Sequence, residues 1–194
     1  MNISFKNKRI LITGAGQGIG RELALRLSKF NGTVIALSKT ASNLDSLKKQ
    51  DPKIETVAVD LADWEATRNA VKKVLPIDML VNNAGVACLA PFLQQTEQHF
   101  DLTMTINVKS ITMALELGPH NIRVNAVNPT VVLTAMGKLG WGDPEKARSM
   151  TEKIPLGRFA EVDEVIDPIV YLLSDRSSMI NGVALPIDGG FLAT

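Results

Sequence analysis

Arg9-Ile10-Leu11-Ile12-Thr13-Gly14-Ala15-Gly16-Gln17-Gly18-Ile19-Gly20 runs directly into a helical pattern from Arg21 to Phe30, and its reading decides the fold. A short apolar strand feeds a glycine-rich turn, and the turn opens into an amphipathic helix. Gly14 permits a sharp turn that a Cβ would strain. Gly18 leaves room for a diphosphate against the backbone, and Gly20 lets the helix approach the strand closely. The free N–H groups and positive end of the helix then face the phosphates. A glycine triplet alone is weak evidence, but a strand before it and a helix after it supply the context of a nucleotide-binding βαβ unit.

Outward from this stretch, strand-length apolar runs alternate with helical patterns. Thr33-Val34-Ile35-Ala36-Leu37 is followed by Ser38-Lys39-Thr40 and a helix with Leu44 and Leu47 on one face. Thr56-Val57-Ala58-Val59 ends in Asp60-Leu61, a helix covers Asp63 to Lys73, and Met79-Leu80-Val81 enters Asn82-Asn83-Ala84-Gly85. Continuous apolar strands separated by amphipathic helices predict a parallel sheet covered on both faces. The expected fold is α/β, a doubly wound parallel sheet of Rossmann type, with residues 1–194 forming one domain.

Composition bounds the rest. The chain has 194 residues, 45% of them hydrophobic and 21% charged, as in ordinary globular proteins. A net charge of +1 without a basic run argues against nucleic acid as a partner. Cys88 is the only cysteine, which excludes an intrachain disulfide and fits a reducing compartment. No run approaches the roughly 20 apolar residues of a transmembrane segment. A cytoplasmic location is expected. His99 and His120 lack acidic partners at ligand spacing, so no metal site is assigned.

The end of the second strand bears on cofactor choice. An acid there would bind the adenosine ribose and repel a 2′-phosphate. Ser38-Lys39-Thr40 instead offers a cation and hydroxyl donors, which suits NADP(H). The other reading is a solvated lysine at a helix start. The absence of an acid from the preceding strand favours the first.

Thr13-Gly14, Gly18-Ile19-Gly20, Asp60-Leu61 and Asn82-Asn83-Ala84-Gly85 together resemble the short-chain dehydrogenase/reductase family. The resemblance continues through Arg123-Val124-Asn125-Ala126-Val127-Asn128-Pro129-Thr130 and Ile154-Pro155-Leu156-Gly157 to Gly189-Gly190-Phe191. It implies an NADPH-dependent reductase of small carbonyl substrates, α-dicarbonyls and the ketose L-xylulose, acting as a homotetramer. It also implies cofactor contacts from Gly14, Gln17, Gly18, Ile19, Gly20, Ser38, Lys39, Thr40, Asp60, Leu61, Asn83, Ala84, Gly85, Val132 and Thr134. For Trp141, closure over substrate is implied by the resemblance, and simple packing is the alternative.

The chain departs from the family at its catalytic core. There a Tyr stands four residues before a Lys, a Ser lies on the preceding strand, and an Asn on the helix before it. Asn107 matches the Asn. After Lys109-Ser110, however, the sequence passes straight to Ile111-Thr112-Met113-Ala114-Leu115, which resembles the end of the catalytic helix. Tyr171 is the only tyrosine, the residue four beyond it is Asp175, and its apolar setting predicts a packed side chain. Phe100, Met104, Val108, Ile111 and Leu115 keep helical spacing across the junction, so one helix over about Glu97 to Leu117 is expected. The strand that carries the Ser in the family is therefore expected to be missing from this sheet, and either the following strand, Ile122-Arg123-Val124-Asn125-Ala126-Val127, pairs with Met79-Leu80-Val81, or buried backbone groups lose partners. Gly137 to Lys153 reads as a flexible segment and a helix.

Overall fold

The computed structural model describes residues 3–85, 94, 96–98 and 117–193. Asn107, Cys88, His99 and the helix expected across the 109–111 junction lie outside the described residues. The chain divides into two compact units, Met1–Lys109 and Ser110–Thr194.

In the first unit, β1 (Arg9–Thr13), α1 (Gly18–Lys29), β2 (Thr33–Ser38), α2 (Ala41–Gln50), β3 (Glu55–Ala58), α3 (Trp64–Val74) and β4 (Met79–Val81) alternate along the chain. The strands form a parallel sheet in the order β3-β2-β1-β4. Ile10 through Thr13 and Val34 through Leu37 are buried without alternation, as expected of central strands covered on both faces. Leu11, Ile35 and Leu37 pack on one face with Val57, Val59, Leu61, Val71, Val74 and Ile77. Ile10, Ile12, Val34 and Ala36 point to the other by the two-residue period of a strand.

Helix α1 buries Leu23, Ala24 and Leu27 at helical spacing. Full burial of each leucine contributes about 1.5–3 kcal/mol. The helix stops where Asn31 takes a left-handed φ of 65°, and the Gly32 N–H donates to the Leu27 carbonyl oxygen across 2.9 Å. Ser28 Oγ donates to Asp51 Oδ2 across 2.6 Å, joining the ends of α1 and α2. That hydrogen bond holds the Asp51 carboxyl below its ordinary range.

In the second unit, β5 (Ala126–Pro129) and β6 (Ala184–Ile187) pair in parallel. Between them lie α4 (Ala135–Trp141), α5 (Pro144–Thr151) and α6 (Val162–Leu173). Strand β5 begins at Ala126, later than the strand expected from Ile122. Asn125 Nδ2 donates to the Ile180 carbonyl oxygen and its Oδ1 accepts from the Val183 N–H, while Arg123 donates to the Ser174 and Ile180 carbonyls. Those bonds tie residues 123–125 to the turn before β6 rather than to a ladder.

The segment from Gly137 to Lys153 contains parts of two helices. Thr134 caps α4 by accepting from the Gly137 N–H at 3.1 Å, and Asp143 caps α5 by accepting from the Lys146 N–H at 2.8 Å. Helix α6 opens with a capping box between Glu161 and Glu164 and buries Val165, Ile166, Ile169, Val170 and Leu172. Tyr171 faces outward at 37% exposure, correcting the expectation of a packed tyrosine. At 3.6 residues per turn the buried positions 165, 166, 169, 170 and 172 share one side of the helix, and 171 falls on the opposite one.

Candidate functional site

The glycine loop between β1 and α1 is shaped by its own backbone and by the segment after β4. Gly14 has φ +66, and a Cβ there would lie 2.7 Å from the Ala84 Cα. Asn83 Nδ2 donates to the Thr13 carbonyl oxygen at 3.0 Å and to that of Gly14 at 3.2 Å. Thr13 Oγ1 accepts from the Asn83 and Ala84 N–H groups, each at 3.1 Å. A Cβ on Gly20 would collide with Asn83 Nδ2 and lie 2.7 Å from the Gly14 carbonyl oxygen. The loop and the 83–85 segment are therefore one interlocked body.

The end of α1 that faces this loop suits an anion. Gln17 is its N-cap, in extended conformation and without a side-chain cap bond, and the first turn carries no acid. The amides of Gly18, Ile19 and Gly20 lie at the positive end of the helix dipole. Gly18 itself has φ 57, a left-handed value that glycine adopts without strain.

At the neighbouring strand ends, the parallel register sets Ser38 opposite Ala58, and the Val59 N–H donates to the Ser38 carbonyl oxygen at 3.0 Å. Lys39 and Asp60 follow side by side, and Lys39 Nζ lies 2.7 Å from Asp60 Oδ2. The hydrogen bond from Lys39, reinforced by the Ala62 N–H, holds the Asp60 carboxyl below its ordinary range. Thr40 is the N-cap of α2 and makes no side-chain cap bond. Leu61 packs on the apolar face of the sheet, so its side chain serves the core.

Sequence reasoning missed three residues here. Arg21 donates to the carbonyl oxygens of Gly16 at 3.5 Å and Asn43 at 3.1 Å, to Ser46 Oγ at 3.2 Å and to Gln50 Oε1 at 2.8 Å. It ties the glycine loop to the length of α2. Asn43 and Ser38 also flank Gly16, where a Cβ would lie 2.8 Å from Ser38 Oγ and 3.1 Å from the Asn43 Cβ. Thr13 is the third, through the bonds above. Only the Gly16 crowding had a sequence signal, an extra glycine inside the loop.

In the second unit, Val132 is buried and forms a parallel bridge with Ala160. The Thr134 hydroxyl is engaged as the α4 cap. The Trp141 ring lies 5.9 Å from that of Phe159, tilted by 60°, with Lys146 Nζ 4.8 Å from its centroid. Packing is thus a real part of what Trp141 does. A cavity of about 100 Å³ lies at the carboxyl ends of β5 and β6, lined by Thr130, Phe159, Arg158, Glu164, Ile187 and Asp188. It is too small for a dinucleotide. Arg158 there is paired with Glu164 across 2.6 Å.

With this geometry in view, the chain belongs to the short-chain dehydrogenase family: the profile described as short chain dehydrogenase matches residues 8–113. A second profile, described as Enoyl-(Acyl carrier protein) reductase, matches residues 111–192. The chain is 44% identical to the L-xylulose reductase of Bos taurus, with both chains covered in full. It is 39% identical to the protein named Carbonyl reductase [NADPH] 2 of Sus scrofa, again over the whole of both. Among solved structures, a candidate NAD(P) dependent gluconate 5-dehydrogenase from Beutenbergia cavernae with bound NADP (low occupancy) superposes with a TM-score of 0.90 at 26% identity, covering 98% of this chain and 99% of that one.

The alignment with the bovine protein runs over 244 positions, whereas this chain has 194 residues. About 50 positions of the relative therefore face a gap. The two family profiles meet at residues 111–113, next to the junction after Ser110.

Proposed function

We propose that this chain is an NADP(H)-binding member of the family, derived from a reductase of α-dicarbonyls and L-xylulose, with little turnover when it acts alone. The observation that carries the reading is a complete phosphate loop in a chain whose only tyrosine is exposed on α6 and followed four residues later by Asp175. The bovine and porcine relatives, named for L-xylulose reduction and for NADPH, support the substrate class and the cofactor.

The described residues fit a dinucleotide. Crowding by Ala84 at Gly14 and by Ser38 and Asn43 at Gly16 fixes the shape of the glycine loop, and the acid-free α1 terminus offers amides to a diphosphate. Ser38, Lys39 and Thr40 would meet the phosphorylated ribose, with Asp60, Leu61, Asn83, Ala84 and Gly85 completing the adenosine side. Val132 and Thr134 are proposed for the nicotinamide side, Trp141 for substrate and Asn107 for a catalytic water. The cofactor supplies a hydride to a carbonyl carbon. The developing alkoxide then needs a proton and an electrostatic partner, which the family draws from its Tyr, Lys and Ser. No residue of this chain matches them.

Deletion or alternative processing of a longer reductase accounts for the gap, and a single domain over residues 1–194, a cytoplasmic location and family-type homotetramers go with that origin. A second reading, a non-catalytic NADP(H)-binding or subunit-interaction protein, is favoured by the intact loop beside the missing proton donor. Titration of purified protein with NADPH, followed by NADPH oxidation with diacetyl and L-xylulose, tests the proposal. Binding without turnover is expected; no binding would overturn it. Co-assembly with a full-length relative separates the second reading.

A further inference from the structure

We infer that Asp60 is a specificity-determining residue that lowers the preference for NADPH over NADH by occupying Lys39, the cation proposed to meet the 2′-phosphate. The inference rests on the cofactor reading above and adds to it a built-in competitor.

Of the two partners, Asp60 is fixed and Lys39 is free to move. Asp60 Oδ1 accepts from the Ala62 N–H at 3.0 Å, and the Asp60 carbonyl oxygen accepts from the Asp63 N–H at 3.0 Å and Thr67 Oγ1 at 3.2 Å. The turn into α3 therefore holds the carboxylate in place. The Lys39 side chain is 74% exposed, and among the described residues the ion pair is its one polar contact. The strand register that places Ser38 against Ala58 keeps the two charges adjacent whenever the sheet is formed.

A 2′-phosphate reaching Lys39 must either displace the carboxylate or share the ammonium with it. Displacement forfeits the existing pair. Sharing sets a second anion close to the first. Both routes weaken binding of the phosphorylated cofactor and leave the unphosphorylated one indifferent to the Lys39 charge. The depressed Asp60 carboxyl keeps the competitor ionised at neutral pH.

Asp60→Asn retains the side-chain acceptor for Ala62 but removes the charge. Nicotinamide-fluorescence titrations with NADPH and NADH on wild type, Asp60→Asn, Lys39→Met and the double variant form a cycle. The expected result is a rise of about two- to fivefold in the NADPH-over-NADH ratio for Asp60→Asn, the scale of one exposed ion pair. In the Lys39→Met background that rise should shrink to less than about 1.5-fold. A rise that survives undiminished without Lys39, or no rise while both cofactors bind, overturns the inference alone. Failure of every form to bind either cofactor overturns the cofactor reading along with it. A cofactor-free readout is carboxyl NMR of Asp60, whose titration should move to higher pH in Lys39→Met; an unmoved titration shows that the pair does not form and also overturns the inference.

Discussion

Asn83 Nδ2 donates to the Gly14 carbonyl oxygen across 3.2 Å although the two residues lie 69 positions apart. The glycine loop is therefore shaped from outside as well as by its own φ angles. Asn83→Ala removes this bond and its companion to the Thr13 carbonyl, and should destabilise the first unit by about 1–3 kcal/mol. Urea unfolding, with the midpoint compared at constant slope, measures the loss. Gly20→Ala should cost a similar amount, because its methyl meets Asn83 Nδ2 and the Gly14 carbonyl.

Thr13 offers a sharper comparison. Its hydroxyl oxygen accepts two backbone N–H groups, each at 3.1 Å. Thr13→Val keeps the shape but takes the acceptor from the Ala84 N–H and leaves the Asn83 N–H only its bond to the Val81 carbonyl oxygen, and should lower stability by about 1–2 kcal/mol. Thr13→Ser retains the acceptor and should lose less than half as much. Equal losses in thermal and urea unfolding would show that the methyl group, rather than the hydroxyl, carries the effect.

Acid should act on the start of α6. The hydrogen bond from Arg158, with a second from the Glu161 N–H, pushes the Glu164 carboxyl down from 4.5 to about 2. Because the folded value is depressed, its contribution to stability is present above about pH 4.5 and is lost as pH falls through about 2. The pair is about half exposed, so the effect is small and screened by salt. Unfolding of wild type and Glu164→Gln should therefore differ at pH 6 and converge near pH 2, roughly the range over which the carboxylate is lost.

Turnover is the most direct expectation. General acid catalysis contributes about 10²–10⁴-fold, and carbonyl activation is lost with the Ser as well. The chain alone should reduce diacetyl or L-xylulose at least about 10³-fold more slowly than a relative with the full set. NADPH binding in the micromolar range, roughly −8 kcal/mol, is expected to persist. NADPH oxidation by protein free of host reductases, with Gly14→Asp as the blocked-loop control, checks both. Near-normal turnover that vanishes in the control would reveal a proton donor elsewhere in the chain.

The first four strands and three helices were legible because uninterrupted apolar runs and helical spacing each imply one kind of burial. The strand expected from Ile122 starts only at Ala126, because side-chain bonds to the turn before β6 hold residues 123–125. Two helices, rather than one helix and a flexible segment, follow from caps at Thr134 and Asp143 that lie outside any apolar pattern. The loop glycines were readable because their constraint is local. The roles of Arg21 and Thr13, and the Lys39–Asp60 pair, arise only when distant segments meet, and no spacing rule reports them. Trp141 kept two readings in the sequence, and its contacts with Phe159 and Lys146 add substance to the packing one.

The four acceptors around the Arg21 guanidinium are all neutral: two carbonyls, a hydroxyl and an amide oxygen. Their dipoles orient the cation without cancelling it. Its charge thus adds to the helix end beside it, and the combined field extends into solvent for about a Debye length, ~10 Å at 0.1 M salt. The effect concerns arrival rather than residence. An incoming dianion is drawn toward the loop before any hydrogen bond forms, so salt should slow its association more than it speeds its release.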